Sequence, residues 1–100
     1  MGQVIHYEFE WDNDKARTNE QKHSVSFDEA KSCFVDVFAL ESFDVDHSVD
    51  EDRFVIIGTS ERSRVLVVAF TLRDHRTIGI ISAREALRRE RLEYEKQIDS

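Results

Sequence analysis

Nine arginines stand between residues 53 and 100, and three of them bracket one short apolar segment: Arg73 and Arg76 precede "TIGII" and Arg84 follows it. Arg53 opens another apolar run, "RFVIIG", and Lys22 and His23 form a cationic and titratable pair. A guanidinium is a rigid fork of donors that fits phosphate oxygens, and it keeps its charge at any physiological pH. Such groups suit cleavage of an RNA phosphodiester by the substrate's own 2′-hydroxyl. The protein then has to supply positive charge for the pentacoordinate phosphorane and some help with proton transfer. The pattern alone leaves a plainer alternative open. Arg84, Arg88 and Arg91, at i, i+4 and i+7, also fit a solvated helix face with local salt bridges, and His23 fits an ordinary loop histidine.

The charge is uneven. Residues 1–52 hold 4 Lys+Arg against 14 Asp+Glu, and residues 53–100 hold 10 against 7, within a formal net charge of -7. A partner of the second half therefore meets a positive surface although the chain is acidic. Other chemistries find little support. The acidic stretch "DVDHSVDED", residues 44–52, lacks the glycine and ligand spacing of a calcium loop, and no paired-Cys or H-x-x-x-H pattern is present. Gly58 and Gly79 are single and far apart, so no phosphate-cradling loop exists, and no nucleophile elbow supports a Ser/His/Asp site. No metal or cofactor is expected. The single cysteine, Cys33, allows no internal disulfide and sits among core-like residues, which fits an inert buried thiol. One hundred residues make one domain, 1–100. No window approaches the ~20 apolar residues of a membrane span, and the first residues carry no signal-peptide pattern, so no membrane association and a cytoplasmic location are expected.

The elements that must position these groups follow from local patterning. Val4–Phe9 alternates apolar and polar and reads as an edge strand. Asp12 can cap a polar surface helix to about Lys22, broken at Ser24, which leaves Lys22 and His23 near a loop. Ser26 and Glu29 form a capping box, stapled by Val25 and Ala30, with Phe27, Ala30 and Phe34 on one face of the helix they open. Strands are expected at 38–43, 54–58, 64–73 and 77–81. Short connections favour antiparallel pairing. Ser82 and Glu85 look like a second capping box, stapled by Ile81 and Ala86. It would open a final helix to about Gln97 with Ala83, Leu87, Tyr94 and Ile98 on its apolar stripe and a Glu85–Arg89 pair on another side. The order is β-α-α-β-β-β-β-α, an α+β fold with a small antiparallel sheet and helices packed on it.

Read together, "FEWD" (Phe9–Asp12), Lys15, Asn19, "KHSVSFDEA" (Lys22–Ala30), "EDRF" (Glu51–Phe54) and "IISAREALRRERLEYE" (Ile80–Glu95) resemble the BrnT-type toxin family over nearly the whole chain. The resemblance implies a RelE-like fold and a ribonuclease toxin of a type II toxin–antitoxin pair. It also implies a partner antitoxin that reaches operator DNA through a ribbon-helix-helix module. Lys22 and His23 match the family's K-H, Arg53 the arginine after its acidic loop, Arg84 the arginine of I-S-A-R, and Arg73 a basic residue at the end of the long strand. One position departs: the family commonly reads I-R-I-I-S-A-R, and here Gly79 stands in the place of that arginine. The candidates are thus Arg73, Arg84, His23 and Lys22 for catalysis and Arg53, Arg76 and Arg88 for RNA binding, with attenuation expected from Gly79. Two alternatives remain: a non-catalytic toxin-like module that binds the antitoxin and co-represses its operon, and an unrelated small regulatory α+β domain.

Overall fold

The structure, a computed structural model, describes residues 7–48 and 51–99. Asp12 Oδ1 accepts the N–H groups of Asp14 (2.8 Å) and Lys15 (3.0 Å) and so opens α1, Asn13–His23. Ser24 closes it in the left-handed conformation (φ 57°), its N–H donating to the Glu20 carbonyl at 2.9 Å. Lys22 and His23 therefore lie in the last turn of α1 rather than in a loop. Ser26 Oγ accepts the Glu29 N–H at 3.0 Å and opens α2, Phe27–Ser32. A short 3-10 turn, Cys33–Val35, follows it.

Five strands make one sheet: β1 (Glu8–Glu10), β2 (Leu40–Phe43), β3 (Arg53–Thr59), β4 (Val65–Arg73) and β5 (Thr77–Glu85), in the order β1-β5-β4-β3-β2. Residues 4–6 of the expected first strand fall outside the described residues. Neighbours among β2 to β5 are antiparallel, as short connections require. The expectation of an antiparallel sheet fails at one edge. β1 pairs with β5 in parallel, and everything from α1 to β4 serves as the long connection that a parallel pair needs.

The second correction is larger. Ser82 and Glu85 cap no helix. They lie in β5, and α3 begins only at Arg88 and runs to Asp99. Arg84 is a strand residue and shares no helical face with Arg88 and Arg91. Glu85 reaches Arg64 at 3.1 Å rather than Arg89, and Ala83 is buried within the sheet. The physical reason is the ladder. β4 is nine residues long, and β5 stays paired with it as far as Leu66 opposite Glu85. The register steps once, where Ala69 faces Ser82 and Phe70 faces Ile80, so Ile81 is a bulge residue. Glu90 takes over the helix start: its Oε1 accepts the Leu87 N–H at 2.7 Å, the reach-back half of a capping box. Of the stripe expected on this helix, only Tyr94 is buried; Leu87 and Ile98 are exposed. Tyr94 donates to Asp36 and meets Thr59 Oγ1 at 2.8 Å, and so ties α3 to β3.

The outer edge of β5 beyond β1 needs a partner, and Asn19 of α1 supplies it. Its amide oxygen accepts the Ala83 N–H (3.0 Å), and its amide nitrogen donates to the carbonyls of Ala83 (2.8 Å) and Val25 (3.0 Å). One buried side chain thus stands in for a strand. The core lies on the sheet face that carries Phe54, Ile56, Leu66, Val68, Phe70, Ile78 and Ile80, against Val25, Phe27, Ala30 and Cys33. An aromatic chain crosses it: Phe9 to Phe34 (5.2 Å), Phe34 to Phe70 (5.0 Å), Phe70 to Phe54 (5.6 Å) and Phe54 to Phe43 (5.6 Å). Cys33 is fully buried, and burial pushes its thiol up to about 12, which makes it a poor nucleophile.

Glu29 is the buried charge of this core rim. Its carboxylate accepts from Ser60 Oγ (2.7 Å) and from Arg64, whose guanidinium also reaches the Ser24 carbonyl (3.0 Å). The Arg64 hydrogen bond outweighs burial and holds the Glu29 carboxyl below its usual 4.5.

Three outcomes are expected. Replacing Asn19 with Ala leaves the Ala83 N–H and C=O unpaired. It should lower unfolding free energy by at least about 2 kcal/mol and speed hydrogen exchange at the Ala83 amide. Because the Glu29 carboxyl is depressed in the folded state, its contribution is complete above its ordinary value and is lost as pH falls through the lower folded one. The urea midpoint should therefore drop on acidification below about pH 4.5, and less steeply in Glu29→Gln. Arg64→Ala, which strands a buried carboxylate, should cost about 3 kcal/mol at neutral pH.

Candidate functional site

The face of the sheet opposite the core carries the charged candidates, because alternation along a strand sends them there. Ladder pairing sets Glu10 of β1 beside Gly79 of β5, Gly79 beside Thr71 of β4, and Thr71 beside Arg53 of β3. These four positions form one row across four strands. Arg73 lies one step along β4 on the same face, and its guanidinium turns back over the row. A Cβ placed on Gly79 would meet Arg73 Cζ and Nη2 at 3.9 Å and Thr71 Oγ1 at 2.8 Å. The missing side chain at Gly79 is thus what lets Thr71 and Arg73 close in on this strand. It leaves a hollow of about 310 Å³ walled by Arg53, Arg73, Lys15, Glu10, Glu51 and Thr71, with Trp11 and Ile81 at its sides.

Three cations and two carboxylates line this hollow. Arg73 donates to Glu10 and has Glu51 at 3.9 Å, and all three side chains are about half exposed. Solvent-exposed pairs of this kind are worth at most about 1 kcal/mol, so a phosphate can displace them. Deeper in, Arg53 Nε and Thr71 Oγ1 are buried and find no hydrogen-bond partner among the described residues. Buried donors without partners are uncommon and costly, and in a hollow they point to a group that arrives with acceptors.

Lys22 and His23 line a second hollow, of about 340 Å³, together with Asp14, Thr18, Asn19 and Ser82. Lys15 and Ile81 belong to both hollows, so the two adjoin along β5. The bulge at Ile81 and the Asn19 clamp at Ala83 set this join, one by turning a side chain and the other by fixing α1 against the strand.

The remaining candidates lie elsewhere. Arg84 is opposite Val67, four residues along β4 from Thr71, or about 13 Å at strand rise. It is already engaged, with its two terminal nitrogens on the Glu90 carboxylate at 2.7 and 2.9 Å. That pairing holds the Glu90 carboxyl below its usual range. Arg76 sits past the hairpin reversal at Asp74 and His75, both with positive φ, in a separate hollow with Glu8 and Thr77. Arg88 is the first residue of α3 and exposed. The structure therefore groups Arg53 with Arg73, and Lys22 with His23; Arg84 lines neither hollow but lies two residues along β5 from Ser82 of the second, and Arg76 and Arg88 line neither. Lys15, Glu10, Glu51 and Thr71 were not among the expected site residues. Lys15 and Glu10 stand among the residues that carry the family resemblance, but nothing in their local pattern gives them a role, and the row depends on register between distant strands.

Among the described residues no group of three or more His, Cys, Asp or Glu is placed to hold a metal ion, and no helix is long and apolar enough to cross a membrane. A family model described as the ribonuclease toxin BrnT of type II toxin–antitoxin systems matches residues 11–90. Among solved structures, a crystal structure of the Brucella abortus ribonuclease toxin BrnT is similar, with a TM-score of 0.58 and 21% sequence identity over 85% of this chain and 100% of that one. At that identity the likeness speaks for the fold. No curated protein sequence matches. The family match takes in α1, α2, the whole of β2 to β5 and all of both hollows except Glu10, and on that ground the chain belongs to the BrnT family of ribonuclease toxins of type II toxin–antitoxin systems.

Proposed function

We propose that this chain cuts RNA endonucleolytically by attack of the substrate's 2′-hydroxyl, with guanidinium groups in place of a metal ion, and at a rate lowered by Gly79. The observation that carries the reading is the pair of buried, unpartnered donors, Arg53 Nε and Thr71 Oγ1, in a hollow that Arg73 and Lys15 also line. A phosphate there gains hydrogen bonds that nothing among the described residues supplies, and the charge that develops on the phosphorane is met by Arg73 and Arg53. Lys22 and His23 line the adjoining hollow, which this reading assigns to the leaving group. Lys22 adds charge, and His23 returns a proton to the departing 5′-oxygen. Arg76 and Arg88 are too far apart to share one nucleotide and serve to hold flanking RNA. The net charge of -7 does not oppose this, because affinity for phosphate depends on the local groove.

The antitoxin of this pair carries, on this reading, a ribbon-helix-helix module and is the toxin's route to operator DNA. Arg88, Arg89 and Arg91 with exposed Leu87 and Leu92 suit an acidic, partly apolar segment that orders on binding.

Arg84 favours the second reading, a non-catalytic module that binds antitoxin and co-represses: its guanidinium is taken up by Glu90, and no arginine stands at Gly79. Induction in cells without the antitoxin separates the two. Growth arrest that is lost in a soluble Arg73→Ala variant, with cleavage down about 100-fold or more, marks the nuclease. Absence of arrest from either form, alongside tight antitoxin binding, marks the module. The attenuation has its own test. Because a Cβ at residue 79 meets Thr71 Oγ1 at 2.8 Å, Gly79→Arg alone should lose stability. In folded, purified protein it should nevertheless restore the charge at this position and raise the cleavage rate above wild type. An unchanged rate in a purified assay would remove Gly79 as a lost catalytic position.

A further inference from the structure

The hollow around Gly79 contains two carboxylates, Glu10 and Glu51, where a phosphate-binding site would be expected to hold cations alone. We infer that Glu10 is the proton acceptor for the attacking 2′-hydroxyl. The inference rests on the ribonuclease reading above.

Three observations carry it. Glu10 is fixed by backbone pairing with β5 directly opposite Gly79, so its position does not depend on a loop; Glu51, which approaches the same arginine only to 3.9 Å, comes from one. Glu10 and the Arg53–Thr71 donors flank Gly79 from opposite sides in a single row. With strands about 4.8 Å apart, the Cα atoms of Glu10 and Thr71 are about 10 Å apart, a gap that takes a phosphate with its ribose. Residue 79 has no side chain to part the carboxylate from a nucleotide placed on the donors, and the group that lies over the gap is the Arg73 guanidinium bonded to Glu10. Finally, Glu10 shares Arg73 with that phosphate. An arginine bonded to both the base and the phosphorane aligns the carboxylate with the nucleophile.

The step balances. The 2′-O–H proton passes to Glu10 Oε, the 2′-oxygen bonds to phosphorus, and the P–O5′ bond breaks. The 5′-oxygen leaves as a hydroxyl with a proton from His23, and the product keeps a 2′,3′-cyclic phosphate. Lys15 from α1, Arg53 from β3, Arg73 from β4 and Glu51 from the loop are the charged groups facing Glu10.

The test compares wild type with Glu10→Gln and Glu10→Asp, and with Glu41→Gln on β2 as control. The probes are a fluorescent RNA oligonucleotide pool of random sequence and its non-cleavable 2′-O-methyl counterpart. Glu10→Gln should lower kcat about 100-fold or more, remove the acid-side limb of the kcat pH profile, and bind the 2′-O-methyl RNA at least as tightly as wild type. Glu10→Asp should recover part of the rate, and Glu41→Gln should match wild type. A Glu10→Gln variant that cuts as fast as wild type or faster overturns the assignment and makes Glu10 a plug on Arg73. So does one whose loss lies in KM alone or in weaker binding of the 2′-O-methyl RNA. Wild-type protein that binds both probes and cuts neither overturns the ribonuclease reading, and the proton acceptor falls with it.

Discussion

Everything around the two hollows depends on one side-chain amide. Asn19 offers β5 the donor and acceptor that a sixth strand would offer, at the point where β1 has ended and α1 passes the sheet edge. A bare edge there would leave polar backbone groups of a buried residue unpaired, at a cost that a chain of this size can ill bear. The amide meets that need and fixes the helix in register with the strand. Lys15 and Lys22, one turn to either side of Asn19 on α1, are thereby held along the wall of β5, as is His23. A helix that merely packed through apolar contacts could slide or roll; α1 is mostly polar and exposed and has little else to hold it.

The same economy appears at the other end of the domain. Glu29 is the fourth residue of the capping-box pattern, and its N–H donates to Ser26 Oγ. Its carboxylate does something else. It gathers Ser60 and Arg64 and, through Arg64, the carbonyl at the end of α1 and Glu85 at the end of β5. A buried carboxylate with several donors is stable only as a complete set. The set therefore fixes where α1 stops and where β5 stops, which are the boundaries of the groove.

How much of this could be read in the chain differs by range. The caps at Asp12 and Ser26, the aromatic core positions and the order of elements were legible, because each depends on residues within a few positions of one another. The Ser82–Glu85 box was misleading for an instructive reason. Its letters match those of Ser26–Glu29, and the difference lies in a long partner strand, β4, which pairs residues 82–85 before a helix can nucleate. Local propensity lost to a ladder that local sequence does not display. The row of Glu10, Gly79, Thr71 and Arg53 was illegible for the same reason: it is a product of register across four strands. Gly79 was noticed as a departure in sequence, but only the structure shows that Thr71 and Arg73 have moved into its space.

Availability, more than number, decides which of the nine late arginines can meet a phosphate. Arg64 is consumed by Glu29 and Glu85, and Arg84 by Glu90, whose carboxylate also holds the start of α3. To free Arg84 would break its pairing with Glu90, whose carboxylate also holds the helix start. Arg73 has only half-exposed partners, and Arg53 has a buried N–H with none among the described residues. A phosphate competes for Arg73 against a weak surface pair and for Arg53 Nε against no partner among the described residues. An acidic chain can in this way keep a local cluster of cations: carboxylates are taken up by the arginines that build the fold, while Arg53 and Arg73 lie beside a glycine with only half-exposed carboxylates at hand.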